Sequence, residues 1–88
     1  MNHGKLDRRH KGFSNFKYYV EFPYSKEIDN FVEQREWCWE QWGPSCEIDV
    51  WYKITKPNRT WCWIMDDYRK RLYFATDKEY TFWLLKWK

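Results

Sequence analysis

Glycine, proline and alanine are all in short supply in this chain. Its 88 residues include three glycines, three prolines and a single alanine, Ala75. Three scattered glycines leave no glycine-rich loop of the kind that cradles phosphates. No run of apolar residues approaches the ~20 needed to cross a bilayer. The first residues are polar and basic, without the apolar stretch of a secretory leader. Cys38, Cys46 and Cys62 are odd in number and contain no C-x-x-C pair. That argues against a disulfide framework and for free thiols in a reducing cytoplasm. A zinc site is also disfavoured, because paired ligands two to four residues apart are missing. The only histidines, His3 and His10, lie in the first ten residues, with no G-x-S-x-G or Cys/His arrangement in the chain. Nucleophilic catalysis needs a nucleophile, a base and an orienting group together, so the chain reads as a non-enzyme with no implied cofactor.

Aromatic rings are what the chain has in abundance. Aromatic residues make up 24% of it, including eight tryptophans. Each buried ring hides roughly 150–250 Å², so a few of them supply the core volume of a short single domain. Charge is unevenly placed. Residues 1–17 hold Lys5, Arg8, Arg9, Lys11 and Lys17 against Asp7, which is +4 of a total of +3. The remainder is therefore −1. A basic arm over residues 1–15, without helical or strand period, precedes a near-neutral domain over residues 16–88. Such an arm either attracts an anionic partner or simply keeps the chain soluble.

Periodicity supplies the elements. Residues 16–22, FKYYVEF, alternate, with Phe16, Tyr18, Val20 and Phe22 on one face, and Pro23 ends that strand. Ser25 reads as an N-cap, with Lys26 and Glu27 opening a helix. With Ile28 as origin of a wheel of about 100° per residue, Phe31, Val32, Cys38, Trp39 and Trp42 share a face and Trp37 falls opposite. Gly43-Pro44 stops the helix, the glycine in a left-handed conformation. Residues 47–55, EIDVWYKIT, alternate again, with Ile48, Val50, Tyr52 and Ile54 on the core face. Pro57 in KPNR predicts a hairpin turn that pairs Ile54 with Trp61, Tyr52 with Trp63 and Val50 with Met65. Asn58-Arg59-Thr60 is formally a glycosylation sequon, read here as turn chemistry. Trp61 and Trp63 then point inward, Cys62 and Ile64 outward. Asp66–Arg69 is a second turn. In the strand 70–75, Leu72 and Phe74 point inward, Arg71 and Tyr73 outward. Thr76-x-x-Glu79 is a capping box, and Tyr80, Trp83, Leu84 and Trp87 follow at helical spacing. The order β-α-β-β-β-α predicts an α+β two-layer sandwich, with a four-stranded, mainly antiparallel sheet and both helices on one face.

The C-terminal stretch RLYFATDKEYTFWLLKW resembles the ending of many small accessory proteins of tailed bacteriophages, with Trp83, Leu85 and Trp87 in a Phe-x-Leu-x-Trp pattern. Glu79-Tyr80 replaces the usual Asp-Ala, and Trp83 stands where phenylalanine is common. The resemblance covers about a fifth of the chain. It implies a phage-encoded protein made in the host cytoplasm and transfers no catalytic residue.

Rings left outside the expected core are the candidate site. Trp37 on the outer side of the helix, with Trp51 and Tyr73 on the outer sheet face, form a surface for a host protein, since tryptophan, tyrosine and arginine dominate interface hot spots. Arg8, Arg9 and Lys11 supply an electrostatic arm. The alternative is a single-stranded nucleic-acid binder that stacks bases on Tyr19, Trp51 and Tyr73 and holds phosphates with Lys53, Arg71 and the arm. Glu21 and Asp49 on the same face oppose it. A homodimer through that face is a further expectation, and the bland reading is that the rings lie under long charged side chains with no partner.

Overall fold

A computed structural model describes residues 2–10, 13–22 and 29–87. The predicted helix start at Ser25, the strand end at Pro23, Ile28 and the arm residue Lys11 lie outside the described residues. The elements are β1 (Asn2–Lys5), β2 (Tyr18–Phe22), α1 (Asp29–Trp42), α2 (Ile48–Trp51), β3 (Trp61–Met65), β4 (Lys70–Phe74) and α3 (Asp77–Trp87). They form an α+β fold with a four-stranded antiparallel sheet in the order β1-β2-β4-β3.

Alternation fixes the helix-bearing face. Tyr18, Val20 and Phe22 of β2, Leu72 and Phe74 of β4, and Trp61 and Trp63 of β3 all point to it. α1 and α3 lie on this face together, contributing Phe31, Cys38 and Trp42 from one helix and Tyr80, Trp83, Leu84 and Trp87 from the other. Trp83 is fully buried, and its indole donates to Oε1 of the buried Gln34 of α1 at 2.6 Å. Thr76 donates its hydroxyl to Glu79, a side-chain pair at the start of α3; the reciprocal side-chain-to-amide bonds of the predicted capping box are not seen among the described residues. Phe16 departs from the predicted strand face and packs on the opposite side of the sheet.

Three expectations are corrected. First, residues 47–55 are not a strand. Glu47 makes one parallel bridge to Trp63, and Ile48–Trp51 then form a single helical turn. Ile48 and Trp51, three apart, are buried, whereas Val50 is 48% exposed and Tyr52 and Ile54 are also exposed. A helical turn buries positions i and i+3; a strand would have buried i and i+2. Second, KPNR is not a hairpin turn, and the pairing of residues 50–54 with 61–65 is not made. Gly43 does stop α1 with φ +89°, and its amide donates to Trp39 O at 2.9 Å. The exposed carbonyls that follow are met by Asn58, whose Nδ2 donates to Trp42 O (2.9 Å) and Pro44 O (3.0 Å), and by the Trp61 indole, which donates to Gly43 O (2.9 Å). The Asn58 Oδ1 in turn accepts from the Thr60 amide at 2.8 Å. Third, the arm is not wholly irregular. Asn2–Lys5 supply the fourth strand, pairing with Tyr18–Glu21.

The sheet's second face is also covered. Cys62, Ile64 and Tyr73, predicted to point outward, do so, and meet Leu6 from the arm, Phe16 from the segment ahead of β2, and Ile48 and Trp51 from α2. The fold is therefore a helix-bearing layer, a sheet and a thin second cover.

The two readings of residues 47–55 separate in a stability experiment. Ile48→Ala should cost about 2–5 kcal/mol in urea unfolding, and Val50→Lys should change stability by no more than about 0.5 kcal/mol. Comparable losses from both would restore the strand. Asn58→Ala should cost about 0.5–1.5 kcal/mol, because it removes the side-chain hydrogen bonds that hold the end of α1 to the segment before β3.

Candidate functional site

The outer sheet face is not a stacking platform in this structure. Tyr73 has no exposed surface and lies under Phe16, with ring centroids 6.1 Å apart; burial pushes its phenol above the ordinary value. Trp51 is buried edge-on against Phe16 at 5.2 Å, and its indole donates to Asn58 O at 2.7 Å. Tyr19 is half-buried between the His10 ring, 5.0 Å away, and the Arg71 guanidinium, 5.7 Å from its centroid. Arg71 is tied to Glu21 Oε1 at 2.7 Å by both Nε and Nη2. Neither the rings nor Arg71 are presented to a strand of nucleic acid. Lys53 is exposed in the turn after α2. Arg8 and Arg9 are exposed, and Arg9 holds Asp7 at 3.1 Å. That hydrogen bond is the main reason the Asp7 carboxyl titrates below its ordinary value.

Trp37 and Trp39 exchange roles. Trp39 is 47% exposed, and Trp37 is half-buried in the joint between α1 and α3. The cause is the second helix. Trp83 of α3 bonds to Gln34 of α1, and Phe82 and Trp87 pack on Trp37, so these two α1 side chains are covered in addition to those facing the sheet. Trp37 meets Trp42 edge-on at 5.4 Å, Phe82 at 5.4 Å and Trp87 edge-on at 6.0 Å. Trp42 continues the ring stack to Phe74 and Phe82.

Above these rings the two helices leave a groove. A cavity of about 300 Å³ is lined by Gln41 and Trp42 of α1 and by Lys78, Thr81, Phe82 and Leu85 of α3. Phe82 is 45% exposed and Leu85 79% exposed. The stripe read from the sequence of α3, Tyr80, Trp83, Leu84 and Trp87, does not include Phe82 or Leu85. The signal that finds them is that both are large and apolar, three apart, on the side away from Trp83. A cavity of that size is at the lower end of the range of ligand pockets, roughly 300–1,000 Å³.

A second cleft, of about 440 Å³, lies where the arm rejoins the sheet. Lys5, Leu6, Phe13, Phe16, Lys17, Tyr18 and Asp77 line it. The Tyr18 hydroxyl donates to Asp77 Oδ1 at 2.8 Å, and this bond raises the tyrosine's pKa. On the adjoining edge of the sheet, His3 bonds to the Tyr80 hydroxyl.

Among the described residues, no three His, Cys, Asp or Glu side chains gather to hold a metal, and no helix is long and apolar enough to cross a membrane. Cys38 and Cys62 are buried on opposite faces of the sheet, and burial raises both thiols far above their ordinary range. Cys46 is half-buried, and burial together with Glu47 raises it as well. No family model matches the chain, and no curated protein or solved structure matches it either.

The thiols give a direct check on this arrangement. The native protein should react with a small aromatic disulfide reagent at one position only, Cys46. Because its thiolate forms above the ordinary value of 9.0, the rate should still be climbing at pH values where an unperturbed thiol has levelled off. Cys38 and Cys62 should react only on unfolding. Two or three fast thiols in the native state would contradict the burial described.

Proposed function

We infer that the protein is a non-enzymatic binding module that works by docking on another protein through the groove between α1 and α3. The observation that carries this reading is the joint itself, where Phe82 and Leu85 stand open beside a cavity floored by tryptophan. Solvent-exposed apolar side chains beside a rigid aromatic floor are the form that interface anchors take. Leaving them in water is unfavourable unless a partner covers them. The floor is preorganised, because Trp42 and Phe82 pack edge to face on each other and both rest on Trp37, so little ordering is needed on association. The phage-like ending of the chain supports a host protein as the partner and the host cytoplasm as the place of action.

The nucleic-acid reading moves with the geometry. It loses Trp51 and Tyr73 and is left with the arm cleft, where Lys5 and Lys17 flank the half-exposed Phe13. One ring and two lysines make a smaller contact than an open sheet, so this reading stands second.

The two separate cleanly. Leu85→Glu and Phe82→Asp, with far-ultraviolet spectra and unfolding midpoints close to the parent's, should abolish capture of a partner protein from host extract. Arg8→Ala/Arg9→Ala should leave capture intact. For the alternative, a labelled single-stranded oligonucleotide should show no rise in anisotropy at micromolar protein in low salt. Binding that falls steeply with salt and is lost in Lys5→Ala/Lys17→Ala or Phe13→Ala would reverse the order of the two readings.

A further inference from the structure

The cleft where the arm rejoins the sheet holds two lysines to which the fold gives no counter-charge. Backbone pairing fixes its walls. The Leu6 amide donates to Lys17 O at 2.8 Å, the Lys17 amide donates to Phe74 O at 3.0 Å, and Lys5 stands opposite Tyr18 in the β1–β2 ladder. Leu6, Phe16 and Tyr18 are the buried part of the lining. Lys5 and Lys17 are exposed, and neither is ion-paired to another described residue. Phe13 lines the cleft with them and is 45% exposed. A turn in which its amide donates to His10 O at 3.3 Å places it there. The one carboxylate of the lining, Asp77, accepts the Tyr18 hydroxyl at 2.8 Å.

We propose that this cleft binds a small aromatic phosphate monoester, of which a nucleoside monophosphate is the simplest natural form. A phosphate monoester carries about −1.5 to −2 charge at pH 7, which two ammonium groups match as point charges. The aromatic base covers Phe13 and removes its ring from water. Asp77 keeps lone pairs for an N–H or O–H of the ligand, and it repels any second anionic group. The cleft therefore selects one anionic head and not a polyphosphate. Its volume of about 440 Å³ falls within the roughly 300–1,000 Å³ of ligand pockets. One ring and two lysines match one nucleotide, whereas a strand needs a row of rings for its successive bases. This cleft and the groove between α1 and α3 share no lining residue, so each can fail without the other.

The test is a titration of the isotope-labelled chain in low salt with adenosine monophosphate, adenosine triphosphate, adenosine and inorganic phosphate, followed by the amide resonances of Lys5, Leu6, Lys17 and Tyr18. The monophosphate should give saturable shifts confined to this cleft, with adenosine and inorganic phosphate each weaker by about tenfold or more. The triphosphate should bind no more tightly than the monophosphate. Lys5→Ala, Lys17→Ala and Phe13→Ala should each weaken the monophosphate by about tenfold. Lys5→Arg and Lys17→Arg should keep most of the affinity, and Leu85→Glu should leave it unchanged. Lys5, Lys17 and Phe13 are exposed, so folding is expected to survive, and the spectra of the variants check it. Adenosine binding as tightly as its monophosphate would show that the lysines hold no anion, and inorganic phosphate binding as tightly would mark an adventitious ion only. Either result overturns the proposal, as does the absence of cleft shifts at about 10 mM monophosphate. A short single strand that binds about a hundredfold more tightly than the monophosphate would assign the cleft to nucleic acid and overturn it as well.

Discussion

Burying β4 on both faces is the constraint from which the rest of the molecule follows. β4 is paired on each side, by β2 and by β3. Leu72 and Phe74 point to one face and Tyr73 to the other, all without exposed surface. A strand with apolar residues on both sides demands cover on both sides, and a chain of 88 residues has little to spend. The two long helices cover the broader face. The other is roofed by the arm and one helical turn, which is enough because Phe16, Trp51 and Ile48 are large. The abundance of rings is the means by which a short chain covers a sheet twice.

That division also decides where apolar surface is left over. The second face is small, and Phe16 and Trp51 close it over Tyr73, leaving the cleft beside Leu6 and Phe13 at its margin. The helical face has to seat two helices side by side. Their tryptophans fill the joint, and Phe82 and Leu85, at its margin on α3, keep much of their surface in water. The candidate site is a by-product of how the helices share the sheet, placed on rigid elements rather than on a loop.

The sequence showed β2, β3, β4 and α3 through alternation and through the capping-box pattern at Thr76 and Glu79. Those segments carry strong two-fold or 3.6-fold periods, and their inward and outward residues were assigned correctly from Tyr18 to Phe22, from Trp61 to Ile64 and from Arg71 to Phe74, whereas Met65, expected inward, is exposed. What was not legible depended on neighbours. Asn2–Lys5 has no apolar alternation, because an edge strand is held mainly by backbone pairing, so its pattern was silent. Ile48 and Trp51 fit a helical turn as well as Ile48 and Val50 fit a strand, and tertiary packing decided between them. Trp37 and Trp39 were exchanged because a single wheel assumes one buried face, whereas α1 packs against a sheet and a helix. The outward residues Cys62, Ile64 and Tyr73 did hold a clue. Three apolar side chains on a supposedly solvated face announce a second cover.

The ends of the sheet bear on how this protein meets others. A sheet normally invites chains to add themselves strand by strand at its margins, the route to fibrils and runaway association. Here one margin is β1, four residues long with Gly4 and Lys5 at its close, too short and too charged to template a neighbour well. The other margin, β3, is flanked by the parallel bridge from Glu47 to Trp63, and Cys46 O accepts from the Trp63 amide at 3.4 Å. Backbone-to-backbone growth is thereby discouraged at both limits. Phe82 and Leu85 belong to a helix, so any association through them would run side chain to side chain and not strand to strand.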